Sequence, residues 1–215
     1  MSGDATWLSH AGLMGLFALA PFLVIAGTSY AKIAVVLGMM RSALGAPGVP
    51  PASVVTALAA ALSLGVMAPV AAEMADAAEG AVAKTAPAKD VLGIAEAKAV
   101  YDAVAPPLLD FLEANTPPRE IEFFRDLVPD GRGRPRSLGV LLPAFAVGEM
   151  IEAFLIGFLL LVPFLVVDLI VANALLALGL QSMPPAVVSL PLKLLLFLAA
   201  DGWHVLVSGL VVSYA

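Results

Sequence analysis

Gly148-Glu149-Met150-Ile151-Glu152-Ala153-Phe154-Leu155-Ile156-Gly157-Phe158-Leu159-Leu160-Leu161-Val162-Pro163-Phe164-Leu165-Val166-Val167-Asp168-Leu169 is almost wholly apolar, yet it holds three carboxylates. It lies inside a greasy run from Leu138 to Leu180 with no strand-period alternation, so the chain reads as helical and not as a β-barrel. A straight bilayer crossing takes about 20 apolar residues. The run is too long for one crossing and awkward for two, and Pro163 is an expected break. Kinked helical hairpins fit it better than evenly spaced spans. Lys32, Glu149, Glu152, Asp168, Lys193 and Asp201 are six ions set in or beside such runs. Mid-bilayer exposure costs roughly 2.5–3.5 kcal/mol per charge, or about 15–21 kcal/mol for all of them. That exceeds a typical domain's net stability of about 5–15 kcal/mol. These groups must meet each other, a partner chain or water.

Composition agrees. The 215 residues are 61% hydrophobic and 13% charged, against about 45–50% apolar and about 25% charged in soluble domains. The net charge of −6 gives nucleic acid no electrostatic hold. The absence of cysteine rules out disulfides, thiolate metal sites and cysteine nucleophiles. The first apolar run has no basic residue before Lys32, so it is expected to be retained and not removed as a signal peptide.

Working outward, residues 1–79 form N-terminal hydrophobic helices. One runs from about Leu13 to Met40, with kinks invited at Pro21 and Gly27. A breaker-rich link, Gly45 to Pro51, leads through Ser53 as cap to an Ala-rich helix from about Val54 to Ala78, whose acidic end carries Glu73 and Asp76. Residues 80–137 hold most of the charge and form a small helical polar domain. Three short helices are expected there: Val91–Val104, Pro107–Asn115, and one opened by Thr116 as cap and Pro117, with Ile121, Phe124 and Leu127–Val128 facing inward. The basic stretch Asp130 to Arg136 reads as an exposed hinge. Residues 138–215 form hydrophobic hairpins, with a clear break from Gly179 to Pro185.

Across that break, Asp168 lies roughly 16–18 Å back from Gly179, and Lys193 roughly 10–12 Å from Pro185, at about 1.5 Å per residue. They can pair within the hairpin or between copies, or snorkel separately. Glu149 and Glu152 share a helix face, as a polar lining, a partner-facing seam or, less simply, a cation site. Asp201 can orient His204, or bond the helix end at Gly202, the favoured reading. Asn173 joins the expected buried polar set. No nucleophile elbow, zinc-protease or phosphate-loop motif is present, and no catalytic residue, metal or cofactor is expected.

Phe22-Leu23-Val24-Ile25-Ala26-Gly27-Thr28-Ser29-Tyr30-Ala31-Lys32, Arg41-Ser42-Ala43-Leu44-Gly45 and Val49-Pro50-Pro51 resemble the opening of the SctR/FliP family. Leu142-Pro143-Ala144-Phe145, Glu152-Ala153-Phe154, Pro163-Phe164, Asp168-Leu169-Ile170, Ala177-Leu178-Gly179, Ser189-Leu190-Pro191-Leu192-Lys193-Leu194-Leu195 and Asp201-Gly202-Trp203 continue the resemblance in order. These are export-gate proteins of type III secretion and flagellar systems. The resemblance implies an all-α subunit of a helical multi-protein ring in the bacterial inner membrane. It implies a homo-oligomer, a pentamer, joined by SctS/FliQ-like and SctT/FliR-like chains. Further implied partners are an SctV/FlhA-like gate protein, needle or rod components and unfolded substrates. It places the polar domain on the periplasmic side, although a simple count of Arg132, Arg134 and Arg136 points to the cytoplasm. The six ions are then expected to pair between subunits. Relatives carry consecutive methionines after the Ala-Leu-Gly block; here the positions read Leu180-Gln181-Ser182-Met183, so the implied constriction rests on Leu180 and Met183. A small transporter or channel, and a scaffold without a conduit, are the rival classes.

Overall fold

A computed structural model describes residues 18, 21–46, 48–84, 94–127 and 136–214. Among them every regular element is a helix: α1 (Pro21–Gly27), α2 (Tyr30–Leu44), α3 (Ala52–Lys84), α4 (Ile94–Ala114), α5 (Pro118–Leu127), α6 (Leu138–Ala177), α7 (Pro185–Ala199) and α8 (Gly202–Val212). α3 and α6 are each long and apolar enough to cross a membrane. The chain divides into two compact units, Met1–Ala31 with Glu73–Val147, and Lys32–Ala72 with Gly148–Ala215.

In the first unit the polar helices pack on the opening of α6. Leu112, Leu141 and Phe145 are fully buried, flanked by Leu108, Leu109, Phe111, Ile121, Leu138 and Leu142. α1 joins them at Gly27, where a Cβ would lie 3.1 Å from the Leu142 side chain. The α1 end is closed by Thr28, whose hydroxyl donates to the Val24 carbonyl at 2.6 Å and accepts from the Tyr30 amide at 3.3 Å. Arg136 reaches back to α4, bonding Asp110 and, at 2.7 Å, Glu113. Those two partners, Asp110 first, hold its guanidinium above the ordinary arginine range.

Several expectations are corrected here. The first two polar helices are one, α4, running through Pro106 and Pro107. The carbonyl of Asp102, which Pro106 leaves without a donor, lies on an exposed turn open to water, and burial of Leu112 holds the helix together. Thr116 does not cap α5. Its buried hydroxyl donates backward to the Leu112 carbonyl at 2.5 Å and closes α4. Leu127 is exposed, not inward. Val128, Arg132, Arg134 and the stretches before residue 18 and from 85 to 93 lie outside the described residues.

In the second unit, α2 buries Ile33, Val36, Leu37 and Met40. Met39 seats on Gly157 of α6, where a Cβ would sit 2.2 Å from its sulfur. Pro163 does not break α6, which is continuous for 40 residues. The carbonyl it leaves free belongs to exposed Leu159, and apolar spanning helices tolerate such single losses. α6 ends in a Schellman turn: the Leu180 amide donates to Leu175 at 2.9 Å and that of Gly179 to Leu176 at 3.1 Å, with Gly179 at φ 74°. α7 then returns antiparallel, Phe164 and Phe197 having ring centroids 6.4 Å apart. α7 and α8 bend by 60° at Asp201, a non-glycine at φ 50°. Trp203 meets the Phe197 ring edge-on at 5.4 Å.

Candidate functional site

Two ionic clusters organise the second unit. The first is built where α2 and α6 run side by side. Lys32 and Glu149 are each 1% exposed, 3.1 Å apart; Glu152 approaches the same ammonium at 2.9 Å and is 42% exposed. The spacing of three puts both carboxylates on the α6 face turned to α2. Tyr214, following α8, donates its hydroxyl to Glu149 and lays its ring 4.0 Å from the Lys32 ammonium. Burial first, then the Glu149 charge, raises the Tyr214 phenol above its ordinary range. Lys32 therefore has two anions and an aromatic face, which is why so buried a lysine stays in place.

The second cluster braces the α6–α7 hairpin. Lys193 bonds Asp168 at 2.6 Å and the Ala43 carbonyl at 3.1 Å. Buried Ser189 adds a hydrogen bond to Asp168. The ammonium thus joins α6, α7 and the last turn of α2, where a helix end favours a cation. Gly45, at φ 70°, lets the chain turn there; its Cβ would be 3.7 Å from the Lys193 nitrogen. Asp168 remains 39% exposed.

Asp201 takes the alternative reading. Its carboxylate meets the His204 ring nitrogen at 2.9 Å and makes no cap bond to α8, which overturns the favoured helix-end bond. Asn173 is exposed on this chain, not buried. Leu180, Gln181, Ser182 and Met183 are all exposed at the hairpin tip. Within this one chain Lys32 pairs with Glu149 and Glu152, Lys193 with Asp168, and His204 with Asp201. α2, α6 and α7 lie close enough to satisfy them without a neighbour. Tyr214, Ser189 and the Ala43 carbonyl escaped the sequence reading. An amphipathic tyrosine following an apolar helix was the only signal for the first, and a backbone carbonyl leaves none. Among the described residues no group of three or more His, Cys, Asp or Glu is placed to hold a metal.

Two ion clusters in membrane-type helices and an exposed glycine-capped tip are the geometry against which known proteins can be compared. The family model described as the FliP family matches residues 13–210. The chain belongs to the FliP family. The hypersensitivity response secretion protein HrcR of Ralstonia nicotianae is 42% identical over 204 residues, 92% of each chain. The Yop proteins translocation protein R of Yersinia pestis is 38% identical over 209 residues, 94% of each. The flagellar biosynthetic protein FliP of Caulobacter vibrioides is 38% identical over 94% of this chain and 74% of its own. FliP-family proteins are export-apparatus components and not enzymes, and the ion clusters accordingly read as structural clasps.

Proposed function

We propose that this chain is a core subunit of a type III secretion export gate. In this reading copies of it, five to a ring, assemble with SctS/FliQ-like and SctT/FliR-like chains around a conduit for unfolded proteins. The assembly sits in the bacterial inner membrane and projects to the periplasmic side, with residues 80–137 outside the barrier. It docks on an SctV/FlhA-like gate protein and meets needle or rod components. Residues 1–79 and 138–215 form the hydrophobic body, and Asn173 and Asp201 face neighbouring chains.

The observation that carries this reading is the α6–α7 tip. The Schellman turn at Gly179 fixes where the loop leaves α6, and Lys193 clasps Asp168 farther down the arms. The tip itself, Leu180 to Met183, is exposed. A rigid hairpin presenting a soft apolar tip suits a constriction: Leu180 and Met183 from several copies close the lumen, and the thioether yields when a polypeptide passes. Abundant exposed apolar surface on α6, including Phe154, Phe158, Leu159 and Leu169, supports burial against other chains.

The test is deletion of Leu180–Met183 in the assembled complex. Assembly is expected to survive and ion conductance of the closed complex to rise. Unchanged conductance in a complex of normal composition refutes the loop as the seal.

A further inference from the structure

α7 passes into α8 through a single left-handed residue. Asp201 has φ 50° and ψ 44°, and there the two helices bend by 60°. A residue with a Cβ disfavours that conformation, and the Asp201 side chain gives α8 no cap bond in return. Ala200, just before it, is already near the helical region at φ −84° and ψ 6°. Turning Asp201 right-handed therefore runs α7 into α8 as one helix. α7 has 15 residues and α8 has 11, each short of the roughly 20 that a bilayer crossing takes. Together they are long and apolar enough to cross.

Contacts at both ends of α8 hold the elbow bent. At the near end Gly202 lies against the Phe197 ring, where a Cβ would be 2.3 Å from the ring atoms, and Trp203 meets the same ring edge-on. At the far end Tyr214 donates its hydroxyl to Glu149 and sets its ring 4.0 Å from the Lys32 ammonium. Between these ends Leu206 and Leu210 are buried, whereas Val205 and Val212 are exposed. Leu206, Leu210 and Tyr214 follow at intervals of four, so one face of α8 leads from the elbow to the buried ion pair.

We infer that α8 is a strap that swings on the Asp201–Gly202 elbow between two states. Closed, it is bent, and Tyr214 covers the Lys32–Glu149 pair. Open, it continues α7 as one membrane-length helix and bares that pair on one side. The bent state serves two buried ions; the straight state serves the Asp201 backbone and the length a bilayer demands. No single state meets both sets of demands, so small changes at either end of α8 decide between them. The strap belongs to the single chain, whatever assembly that chain joins.

The sequence contains no cysteine, so Ile151→Cys and Val212→Cys, both at exposed positions, place spin labels on α6 and at the far end of α8. Their separation is read by pulsed electron resonance on the full chain in mild detergent. Val212 lies about 16 Å beyond the elbow at about 1.5 Å per residue, and a 60° swing carries it through about the same distance. The parent is expected to show mainly the closed distance. Tyr214→Phe, which loses the hydroxyl, and Gly202→Ala, which crowds Phe197, are each expected to add a population at least about 8 Å longer. Asp201→Gly, which accepts φ 50° freely, is expected to shrink that population when combined with Tyr214→Phe. Amine-reactive labelling gives a second reading. Lys32 is expected to be modified at least about tenfold faster in Tyr214→Phe than in the parent, while Lys193, held by Asp168, keeps its rate. A single unshifted distance in both Tyr214→Phe and Gly202→Ala overturns the strap, as does a parent found only at the long distance. Equal acceleration at Lys32 and Lys193 also overturns it, because that reports general loosening and not a swing of α8.

Discussion

Replacing Lys32 by methionine removes the ammonium that two carboxylates share and keeps the aliphatic stem. Lys32 and Glu149 are 3.1 Å apart and each 1% exposed, so their direct attraction is about 5 kcal/mol at an effective dielectric of about 20. Desolvating the two ions offsets most of that in the intact protein. The loss is asymmetric: removing one member of a buried pair strands the other and costs about 3–5 kcal/mol. The expected destabilisation is therefore about 3–5 kcal/mol, or about 10 °C in melting temperature for a chain of this size. Thermal unfolding of the purified chain in detergent measures it. Lys32→Met combined with Glu149→Gln leaves no stranded charge on α6 apart from half-exposed Glu152, and is expected to recover at least about half the loss. A shift below about 2 °C for the single variant, or simple additivity in the double, would falsify the clasp argument.

Three other substitutions test the geometry. Asp168→Ala is expected to destabilise more than Lys193→Met, by about 1–2 kcal/mol, because it strands an ammonium that is 7% exposed, whereas Asp168 at 39% exposed can be hydrated; equal losses by chemical denaturation count against that asymmetry. Gly157→Ala pushes a methyl to within 2.2 Å of the Met39 sulfur and is expected to cost about 1–3 kcal/mol, largely relieved by Met39→Ala; no relief in the double-mutant cycle refutes the close contact. Gly179→Ala meets open space but forces φ 74° on an alanine, an expected cost of about 1–2 kcal/mol. Asn at the same position is expected to cost less, and a reversed order contradicts the left-handed cap.

Much of the fold was legible because its signals are local. Apolar runs, the glycine and proline link from Gly45 to Pro51, and the Gly179–Pro185 break each report a backbone preference that neighbours do not reverse. Prolines inside apolar sequence misled: Pro106, Pro107 and Pro163 read as ends, yet each sits within a helix. A proline removes one hydrogen bond, and burial of residues such as Leu112 and Phe164 outweighs that local loss. Thr116 misled for a related reason, since its hydroxyl can serve the helix before it as well as the one after.

By itself the sequence determined the helical class, the membrane character, the absence of cysteine and phosphate-loop chemistry, and the need for each embedded ion to find a counter-charge. It could not name the counter-charges. Lys32 is separated from Glu149 by 117 positions and Lys193 from the Ala43 carbonyl by 150, and no pattern along the chain carries such distances. Only the side-by-side run of α2 and α6 and the return of α7 decided that these ions pair within one molecule. Electrostatic satisfaction depends on which surfaces meet in space, and a linear order of residues does not record that.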